Sequence, residues 1–347
     1  MKKAFITGIN GQDGSYLAEL LIEKGYTVIG LIRRLSVAES KTARLEKAKI
    51  YPHPQITLEY GDMCDQPSLL NILRKHEPDE IYNLAAQSHV RVSFDAPHAT
   101  TDVVALGTLN LLESVRAVCP KAKIYQAGSS EMFGNCVDSD GFQRETTPMH
   151  PVSPYGCAKL YAYNLCSVYR DAYDMFICNG VLFNHESPRR GRDFVTNKVV
   201  LGAYDIFCNK LKTLRLGNLK ATRDWGHAKD YVRAMWMMLQ EDKPDDYVVA
   251  TGVSTSVEYL CNYIFGKMGL VPELFIEIDP AYYRPKELHE LRGDSSKIRE
   301  ALGWTPEYSF EGLIDDMLEA VAGPLVNPRK FLDYEVSPPE LKKEYKK

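Results

Sequence analysis

The feature that most constrains this chain is a glycine-rich turn between an apolar strand and an amphipathic helix. Residues 4–7 form a short apolar run, and Gly8, Gly11 and Gly14 follow it with the spacing G-x-x-G-x-x-G. Glycines in this position allow a tight turn and let backbone N–H groups approach a diphosphate at the helix N-terminus. The spacing alone also fits a purely structural turn, but the strand–turn–helix context favours a dinucleotide site.

The first half of the sequence alternates strand-like and helix-like segments. This alternation predicts an α/β fold with a Rossmann-type doubly wound parallel sheet. After residue 183 the pattern becomes irregular, which predicts a smaller C-terminal α/β substrate-binding lobe. The predicted strands are residues 4–7, 27–32, 56–60, 80–85, 122–127 and 176–183, and the two longest predicted helices are residues 101–118 and 154–173.

We therefore expect two domains. The first is a cofactor-binding domain at residues 1–183, with a returning segment at about 218–252. The second consists of residues 184–217 and 253–347, which comprise the lobe and a proline-rich, charged C-terminal tail.

Composition excludes several classes of protein. The net charge is −4, so a nucleic-acid or anionic-membrane binder is not expected, and no apolar run reaches the length of a membrane span. The eight cysteines form no C-x-x-C pair and no H-E-x-x-H occurs, which argues against a disulfide framework and a metal site. These features predict reduced thiols and a cytoplasmic location.

The residues after the second predicted strand bear on the choice of cofactor. An NAD site usually has an acid there to hold the ribose 2′-hydroxyl, whereas this chain has Arg33 and Arg34. A guanidinium group binds a 2′-phosphate with two charged hydrogen bonds, so NADP is predicted, although a solvated basic loop would look the same. Asp62 fits either an adenine contact or a turn aspartate, and Ala85 and Ala86 fit either close cofactor approach or packing.

A tyrosine and a lysine four residues apart lie on the same side of a helix. Three such pairs occur, but the Tyr263 pair spans a glycine and the Tyr282 pair spans a proline that breaks helical geometry. Only Tyr155 and Lys159 lie early in a long amphipathic helix after a strand. A nearby ammonium group is expected to lower the pKa of the phenol, which would make Tyr155 a usable base.

With these motifs, the chain resembles the extended short-chain dehydrogenase/reductase family. The strings "ITGINGQDGSYLAELL", "YNLAAQSHV", "SPYGCAKLYAY", "LFNHESPRRG" and "RDWGHAKDYV" are similar to those of its GDP-mannose 4,6-dehydratase branch. The resemblance extends over most of the first 240 residues, and "YYRPKE" continues it.

The resemblance implies conversion of GDP-D-mannose to GDP-4-dehydro-6-deoxy-D-mannose, a first step towards GDP-fucose or GDP-rhamnose. It implies that Tyr155, supported by Lys159 and Ser129, takes the C4 hydroxyl proton, and that Glu131 removes the C5 proton and helps water leave from C6. An isolated Glu131 would otherwise be read as a loop acid after a strand.

The resemblance also implies the binding residues. The expected NADP contacts are Gly8, Ile9, Asn10, Gly11, Gln12, Asp13, Arg33, Arg34, Leu35, Ser36, Asp62, Met63, Leu84, Ala85, Ala86, Gln87, Ser88, Lys159, His185 and Arg190. The expected substrate contacts are Ser88, Asn184, Lys198, Arg223, Arg284 and Glu287. Taken alone, His185 would be read as a packed or loop histidine, and Arg223 and Arg284 as solvated surface residues.

The chain differs from the family pattern at three places. Ser129 stands where the family usually has threonine, Ala99 where it has a tyrosine near the cofactor, and "RRLSVAESKTAR" replaces a loop that crosses between subunits in relatives. A homodimer or homotetramer is expected from the resemblance. Two other functions remain open from the sequence: a GDP-sugar 4-keto reductase, which does not need Glu131, and a catalytically silent NADP-sensing protein.

Overall fold

A computed structural model of the chain describes residues 1–33, 42–283, 286, 288 and 290–323. The expected site residues Arg34, Leu35, Ser36, Arg284 and Glu287 lie outside the described residues, as does the charged C-terminal tail.

The strands have the following bounds: β1 (Lys3–Thr7), β2 (Thr27–Ile32), β3 (Ile56–Tyr60), β4 (Glu80–Asn83), β5 (Lys123–Ala127), β6 (Ile177–Leu182), β7 (Asn184–Glu186), β8 (Leu214–Leu216), β9 (Thr222–His227), β10 (Tyr247–Val249), β11 (Ser254–Ser256), β12 (Ile276–Ile278) and β13 (Glu290–Leu291).

The helices have the following bounds: α1 (Gln12–Glu23), α2 (Ala43–Lys47), α3 (Gln66–His76), α4 (Val90–Asp95), α5 (Pro97–Thr101), α6 (Gly107–Val118), α7 (Pro154–Tyr173), α8 (Val195–Phe207), α9 (Ala228–Met238), α10 (Val257–Lys267), α11 (Ser296–Leu302) and α12 (Phe310–Ala322). None of these helices is long and apolar enough to cross a bilayer, a statement confined to the described part of the chain.

The main sheet has seven strands in the order β10-β6-β5-β4-β1-β2-β3, and every neighbouring pair is parallel. Side chains alternate between its two faces. Ala4 and Ile6 of β1 join a core covered by α1 and α9, whereas Phe5 joins a core covered by α3, α6 and α7. The prediction of a doubly wound parallel sheet is confirmed.

A second apolar core lies between helices α8, α10 and α12, with Val199, Leu260 and Leu313 fully buried in it. Beside it, β9 pairs with β7, β11 and β13, and β8 pairs with β12.

Two groups of residues from the predicted lobe pack against the first domain. Ile298 and Trp304 are buried in the first core with α1 and α9, and Leu288 and Leu291 are buried against Phe133 and Phe183. The division into two functional domains otherwise stays a prediction.

Strands β2 and β3 and helix α7 have the predicted bounds. Strands β1, β5 and β6 differ from the prediction by one residue at one or both ends, and two other elements differ more. Strand β4 ends at Asn83 rather than at residue 85, because the N–H groups of Leu84 and Ala85 donate to the Thr7 hydroxyl at 3.0 Å. The helix predicted at residues 101–118 begins with a π-helical turn, Asp102–Leu106, and continues as α6.

The close packing of α1 on the glycine turn makes a stability prediction. A Cβ on Gly14 would lie 2.3 Å from the Gly8 carbonyl oxygen and 2.6 Å from the Ile9 Cα, both backbone atoms that cannot move aside cheaply. We expect Gly14→Ala to lower the free energy of unfolding by about 1–3 kcal/mol, measured by urea denaturation.

Gly266→Ala is the matched control. Gly266 also lies in a helix, α10, and a Cβ there would meet no atom within 4 Å. This change should be neutral or stabilise the protein by up to about 1 kcal/mol. Equal losses of stability in the two variants would contradict the packing described here.

Candidate active site

The chemically important side chains lie at the carboxyl ends of the parallel strands. Strands β1, β4, β5 and β6 end in succession at Thr7, Asn83, Ala127 and Leu182. In open parallel sheets, ligands bind in the crevice at this edge. A surface cavity of about 480 Å³ lies at the opposite edge, beside Lys2 and the start of β5, and no candidate catalytic residue lines it.

The glycine turn has the geometry of a dinucleotide cradle. Gly8 has φ +71°, and a Cβ on it would lie 3.1 Å from both the Cα and the backbone N of Ala85. Gly11 is the N-cap of α1 and provides no capping side chain, so the first-turn N–H groups remain available to an anion. The turn therefore fits the diphosphate of a nicotinamide cofactor.

Thr7, a residue for which no role was predicted, connects the glycine turn to the end of β4. Its hydroxyl donates to the Asn83 side-chain oxygen at 2.8 Å and accepts the two N–H groups that end β4. It thereby fixes Leu84 and Ala85, two expected cofactor contacts, beside Gly8. A hydroxyl at the last position of β1 is the only signal of this role in the sequence.

Helix α7 positions Tyr155 and Lys159 at the end of β5. Ser153 caps the helix by accepting the Gly156 N–H at 3.0 Å, and the Tyr155 N–H donates to the Ser93 hydroxyl at 3.2 Å. The Lys159 Nζ donates to the Ala127 carbonyl at 2.7 Å and lies 5.8 Å from the centroid of the Tyr155 ring. Both side chains are buried.

Burial dominates the titration of these two groups. It raises the pKa of the Tyr155 phenol well above its ordinary value; a hydrogen bond with Ser129 opposes the rise, the charge of Glu131 adds to it, and the charge of Arg190 opposes it. Burial lowers the pKa of the Lys159 ammonium to about 8. The expectation that Lys159 holds the pKa of Tyr155 below its ordinary value is therefore wrong for the protein alone, because desolvation of the phenolate outweighs nearby positive charge.

Glu131 lies in a short turn directly after the end of β5. Glu131 is only 6% exposed, and its backbone N–H donates to the Ser129 hydroxyl at 3.2 Å. A Cβ on Gly156 would lie 2.8 Å from the Glu131 carbonyl oxygen, so this turn packs directly on the first turn of α7. Because Glu131 also acts on the pKa of Tyr155, the structure brings Ser129, Glu131, Tyr155 and Lys159 into one site.

An ion pair joins the glycine turn to β7. The His185 Nε2 lies 2.8 Å from an Asp13 carboxylate oxygen, and its Nδ1 lies 2.7 Å from the Phe183 carbonyl oxygen. Both ring nitrogens face acceptors, and the ring stacks on Tyr231 with centroids 4.4 Å apart. Burial acts to lower the pKa of His185, but the charge and the hydrogen bond of Asp13 together with the Phe183 carbonyl outweigh it, and the net effect is a raised pKa. The histidine is thus a packed residue whose protonated form Asp13 favours.

The pKa of Asp13 moves in the opposite direction. Burial acts to raise it, but the positive charge and hydrogen bond of His185 hold it down at about 2. Gln12 strengthens the same junction, because its amide donates to the His185 carbonyl and its oxygen accepts the Ser187 hydroxyl.

Arg190 lies on the same side of the site. Its guanidinium Nε is 2.9 Å from a carboxylate oxygen of Glu186, and the guanidinium stacks over the Phe194 ring. Glu186 is buried and also accepts the Thr196 hydroxyl at 2.6 Å. Glu186 was not predicted from the sequence, although it lies in the string "LFNHESPRRG" four residues before the arginine. A charge of this kind near Tyr155 favours the phenolate.

The expected substrate contacts occupy different environments. Ser88 is exposed, Lys198 lies 3.5 Å from the centroid of the Tyr282 ring, and the Asn184 side-chain oxygen is buried with no hydrogen-bond partner among the described residues. Arg223 is only 7% exposed and donates to the Thr222 and Leu288 carbonyls, so the alternative of a solvated surface residue is wrong.

A buried carboxylate beside Arg223 was not anticipated. Asp224 accepts the Thr251 N–H and hydroxyl and the Gly252 N–H at 2.6–2.9 Å, and burial raises its pKa to about 6. It therefore fixes the loop after β10 against β9, the strand that carries Arg223.

The remaining expected cofactor contacts border the glycine turn or follow strands. Ile9 is buried against Gly30, Met63 is buried against Gly107, and Arg33 is exposed at the end of β2. The Asp62 side chain accepts the Cys64 N–H at 3.0 Å, as a turn aspartate does, and the other oxygen can still accept a bond. The Gln87 oxygen accepts the His89 N–H at 2.6 Å.

Comparison with known proteins gives one consistent result. The family described as GDP-mannose 4,6 dehydratase matches residues 5–317. GDP-mannose 4,6 dehydratase 1 of Arabidopsis thaliana is 51% identical over 92% of this chain and 89% of its own, and GDP-mannose 4,6-dehydratase of Vibrio cholerae is 45% identical over 91% and 93%.

Solved structures agree in fold at lower identity. A dTDP-glucose 4,6-dehydratase from Bacillus anthracis in complex with NAD has a TM-score of 0.80 at 21% identity, covering 92% of this chain and 96% of its own. RMD from Pseudomonas aeruginosa complexed with NADPH has a TM-score of 0.75 at 21% identity, covering 92% and 99%. At this identity the likeness shows the fold alone.

The ion pair between Asp13 and His185 makes a titration prediction. The raised pKa of His185 means that the contribution of this pair to stability is full below about pH 6.5 and is lost as the pH rises through the folded pKa. The lowered pKa of Asp13 means that its contribution is full above about pH 3.8 and is lost as the pH falls towards 2. In Asp13→Asn, burial without a charged partner should bring the pKa of His185 down by about one to three pH units, followed by NMR of its ring protons.

Asp95→Asn provides the control, because Asp95 is 65% exposed and pairs with Arg91 on the surface. It should leave the His185 titration unchanged, and a His185→Gln variant assigns the signal. An unaltered His185 pKa in Asp13→Asn would show that the ion pair does not form in solution.

Proposed function

Because the chain belongs to the GDP-mannose 4,6-dehydratase family, we infer that it is a nicotinamide-dependent lyase that converts GDP-D-mannose to GDP-4-dehydro-6-deoxy-D-mannose. The family match over residues 5–317 and relatives of 45–51% identity along nearly their whole length support this activity. The observation that carries the reaction is the grouping of the half-buried Ser129 with the buried side chains of Glu131, Tyr155 and Lys159 at the carboxyl edge of the sheet.

A bound nicotinamide cofactor would supply hydride chemistry: hydride taken from sugar C4 would return to C6 while C5 receives a proton, so the reaction would have no net redox change. Tyr155 is the base for the C4 hydroxyl proton, and Ser129 stabilises its phenolate by a hydrogen bond. Lys159 anchors α7 through the Ala127 carbonyl and supplies the positive charge at this end of the site. Arg190 adds a second positive charge that favours the phenolate.

Glu131 is the group that makes this site a dehydratase. Oxidation at C4 acidifies the neighbouring C5–H bond, so a positioned carboxylate can remove that proton and then help the C6 hydroxyl leave as water. A 4-keto reductase or an epimerase needs no such group. Glu131 lies two residues after Ser129 and acts electrostatically on Tyr155, which supports its placement against the same sugar.

NADP is the proposed cofactor. The glycine turn and the N-terminus of α1 would hold its diphosphate, and Asp62 would face the adenine. Arg33 and Arg34 follow β2 where an NAD site carries an acid, which supports a bound 2′-phosphate. His185, fixed by the Asp13 ion pair, would lie beside the nicotinamide half, and Arg190, whose charge acts on both Tyr155 and Arg44, would lie near the diphosphate between the two halves.

Substrate binding is proposed at the junction with the second core. Asn184 presents a buried side-chain oxygen without a partner among the described residues, which suits a hydroxyl donor of the sugar. Lys198 and Arg223 supply positive charge for the GDP diphosphate, and Arg223 is held rigidly by the carbonyls of Thr222 and Leu288.

The outer face of the catalytic helix supports a homodimer. Along α7, Tyr161 and Val168 lie two turns apart on one helical face and are 43% and 55% exposed, and Leu106, in the π-helical turn that packs on α7, is 45% exposed. Apolar side chains placed together on one surface mark an interaction site. The eight free cysteines support the reducing conditions of the cytoplasm as the place of action.

The role of Glu131 predicts a selective loss of activity. Glu131→Gln keeps the shape of the side chain but removes the carboxylate, so dehydration should fall by about 10²–10⁴-fold while NADP binding is unchanged. With GDP-mannose added, the variant should still reduce its bound cofactor, seen as the near-ultraviolet absorbance of the reduced nicotinamide.

Glu273→Gln, at an exposed position after α10, is the control and should retain full turnover. Product formation by Glu131→Gln at the wild-type rate would rule out this role. Loss of cofactor reduction as well would assign Glu131 to the C4 step or to folding instead.

A further inference from the structure

Arg44 lies against the glycine turn, although it follows the turn by more than thirty residues. It belongs to the short helix α2, and its Nη1 donates to the Asn10 carbonyl at 2.9 Å. Its Nε donates to the Arg189 carbonyl at 3.0 Å. One guanidinium thus spans two backbone segments that border the proposed cofactor site.

No carboxylate in the described part of the chain pairs with Arg44. Its two acceptors are neutral carbonyls, and no acidic side chain among the described residues lies within ion-pair distance of it. The neighbouring arginines differ in this respect, because Arg189 lies 2.6 Å from Glu19 and Arg190 lies 2.9 Å from Glu186. Asp13 and Asp316 also act on Arg190 and Arg189 through their charges. Of the three guanidinium groups, Arg44 is the one without a carboxylate partner among the described residues.

The surroundings of Arg44 favour an anion. Burial lowers the pKa of Arg44, and the nearby charge of Arg190 lowers it further, so a bound anion would relieve both effects. A guanidinium has five N–H donors, and hydrogen bonds to the described residues use two of them. No described residue takes the other three, which suit the forked contact that guanidinium groups make with phosphate.

The position of Arg44 indicates which phosphate it would meet. A Cβ on Gly30 of β2 would lie 2.5 Å from the Ile9 side chain, so this part of the turn packs directly against β2. Asn10, the acceptor of Arg44, is the next residue. In Rossmann folds the carboxyl end of the second strand faces the 2′ position of the adenosine ribose.

We propose that Arg44 binds the adenosine 2′-phosphate of NADP and is a determinant of cofactor preference. This inference rests on the proposed choice of NADP. The carbonyls of Asn10 and Arg189 orient the guanidinium before the cofactor arrives, which limits the side-chain entropy lost on binding. The same backbone turn would therefore hold the diphosphate and orient the arginine that binds the 2′-phosphate.

Direct binding measurements test this assignment independently of turnover. Calorimetry with NADP, NAD, 2′,5′-ADP and 5′-AMP compares ligands with and without the 2′-phosphate. In Arg44→Gln, the dissociation constants of NADP and 2′,5′-ADP should rise by about 10- to 100-fold, as expected for loss of a charged hydrogen-bonding group. The dissociation constants of NAD and 5′-AMP should be unchanged.

Two further variants keep the test decisive. Arg44→Lys retains the charge without the fork and should give an intermediate loss for the 2′-phosphorylated ligands. Arg215→Gln removes a surface arginine that is 63% exposed in the lobe and should change no dissociation constant. Thermal unfolding of each variant checks that the fold is kept.

The outcomes separate the failure of this inference from the failure of the cofactor assignment. If the wild-type protein binds NAD as tightly as NADP, the proposed cofactor is wrong and the inference falls with it. If the wild-type protein prefers NADP but Arg44→Gln keeps that preference, the inference alone is overturned. Equal weakening of all four ligands would also overturn it, because it would place Arg44 at the phosphate shared by all of them or at the turn itself.

Discussion

The hydrogen bond from the Lys159 Nζ to the Ala127 carbonyl, at 2.7 Å, determines the geometry of the candidate site. It joins the first turns of α7 to the last residue of β5, and both groups are buried. Tyr155 lies one turn before Lys159, whereas Ser129 and Glu131 directly follow β5. One contact therefore sets the two halves of the catalytic group against each other.

Burial at this junction has an electrostatic cost that the neighbouring groups must offset. It lowers the pKa of Lys159 to about 8, so the ammonium remains mostly charged at neutral pH, and it raises the pKa of Tyr155. The Ser129 hydrogen bond and the Arg190 charge act against the second effect. Because Glu186 holds Arg190 in place, a residue outside the catalytic group takes part in tuning the base.

Local patterns in the sequence predicted the parts of the molecule that local interactions determine. Strands β2 and β3 and helix α7 have the predicted bounds, because their periodicity and end signals are contained within a few residues. The dinucleotide turn and the placement of Tyr155 and Lys159 on one helix face could be predicted for the same reason. These features identify the fold and the kind of chemistry.

Contacts between distant segments were not readable in this way. Asp13 pairs with His185, and Arg44 binds the Asn10 carbonyl, yet no periodic signal connects either pair. Strand β4 ends before its predicted end because its last N–H groups donate to the Thr7 hydroxyl of β1. Trp304 packs in the first core, although its segment was predicted to belong to the lobe. Burial likewise reversed the expected direction of the Tyr155 pKa, since sequence spacing says nothing about desolvation.

Isotope tracing tests most directly whether this group of residues carries out an internal oxidation, elimination and reduction. GDP-mannose with deuterium at sugar C4 is mixed with a second GDP-mannose that carries ¹³C and no deuterium. The products are analysed by mass spectrometry. The account predicts that deuterium appears on C6 of the molecules that carried it and does not cross to the ¹³C-marked product. Deuterium that is lost to solvent, remains at C4 or is exchanged between molecules would contradict it.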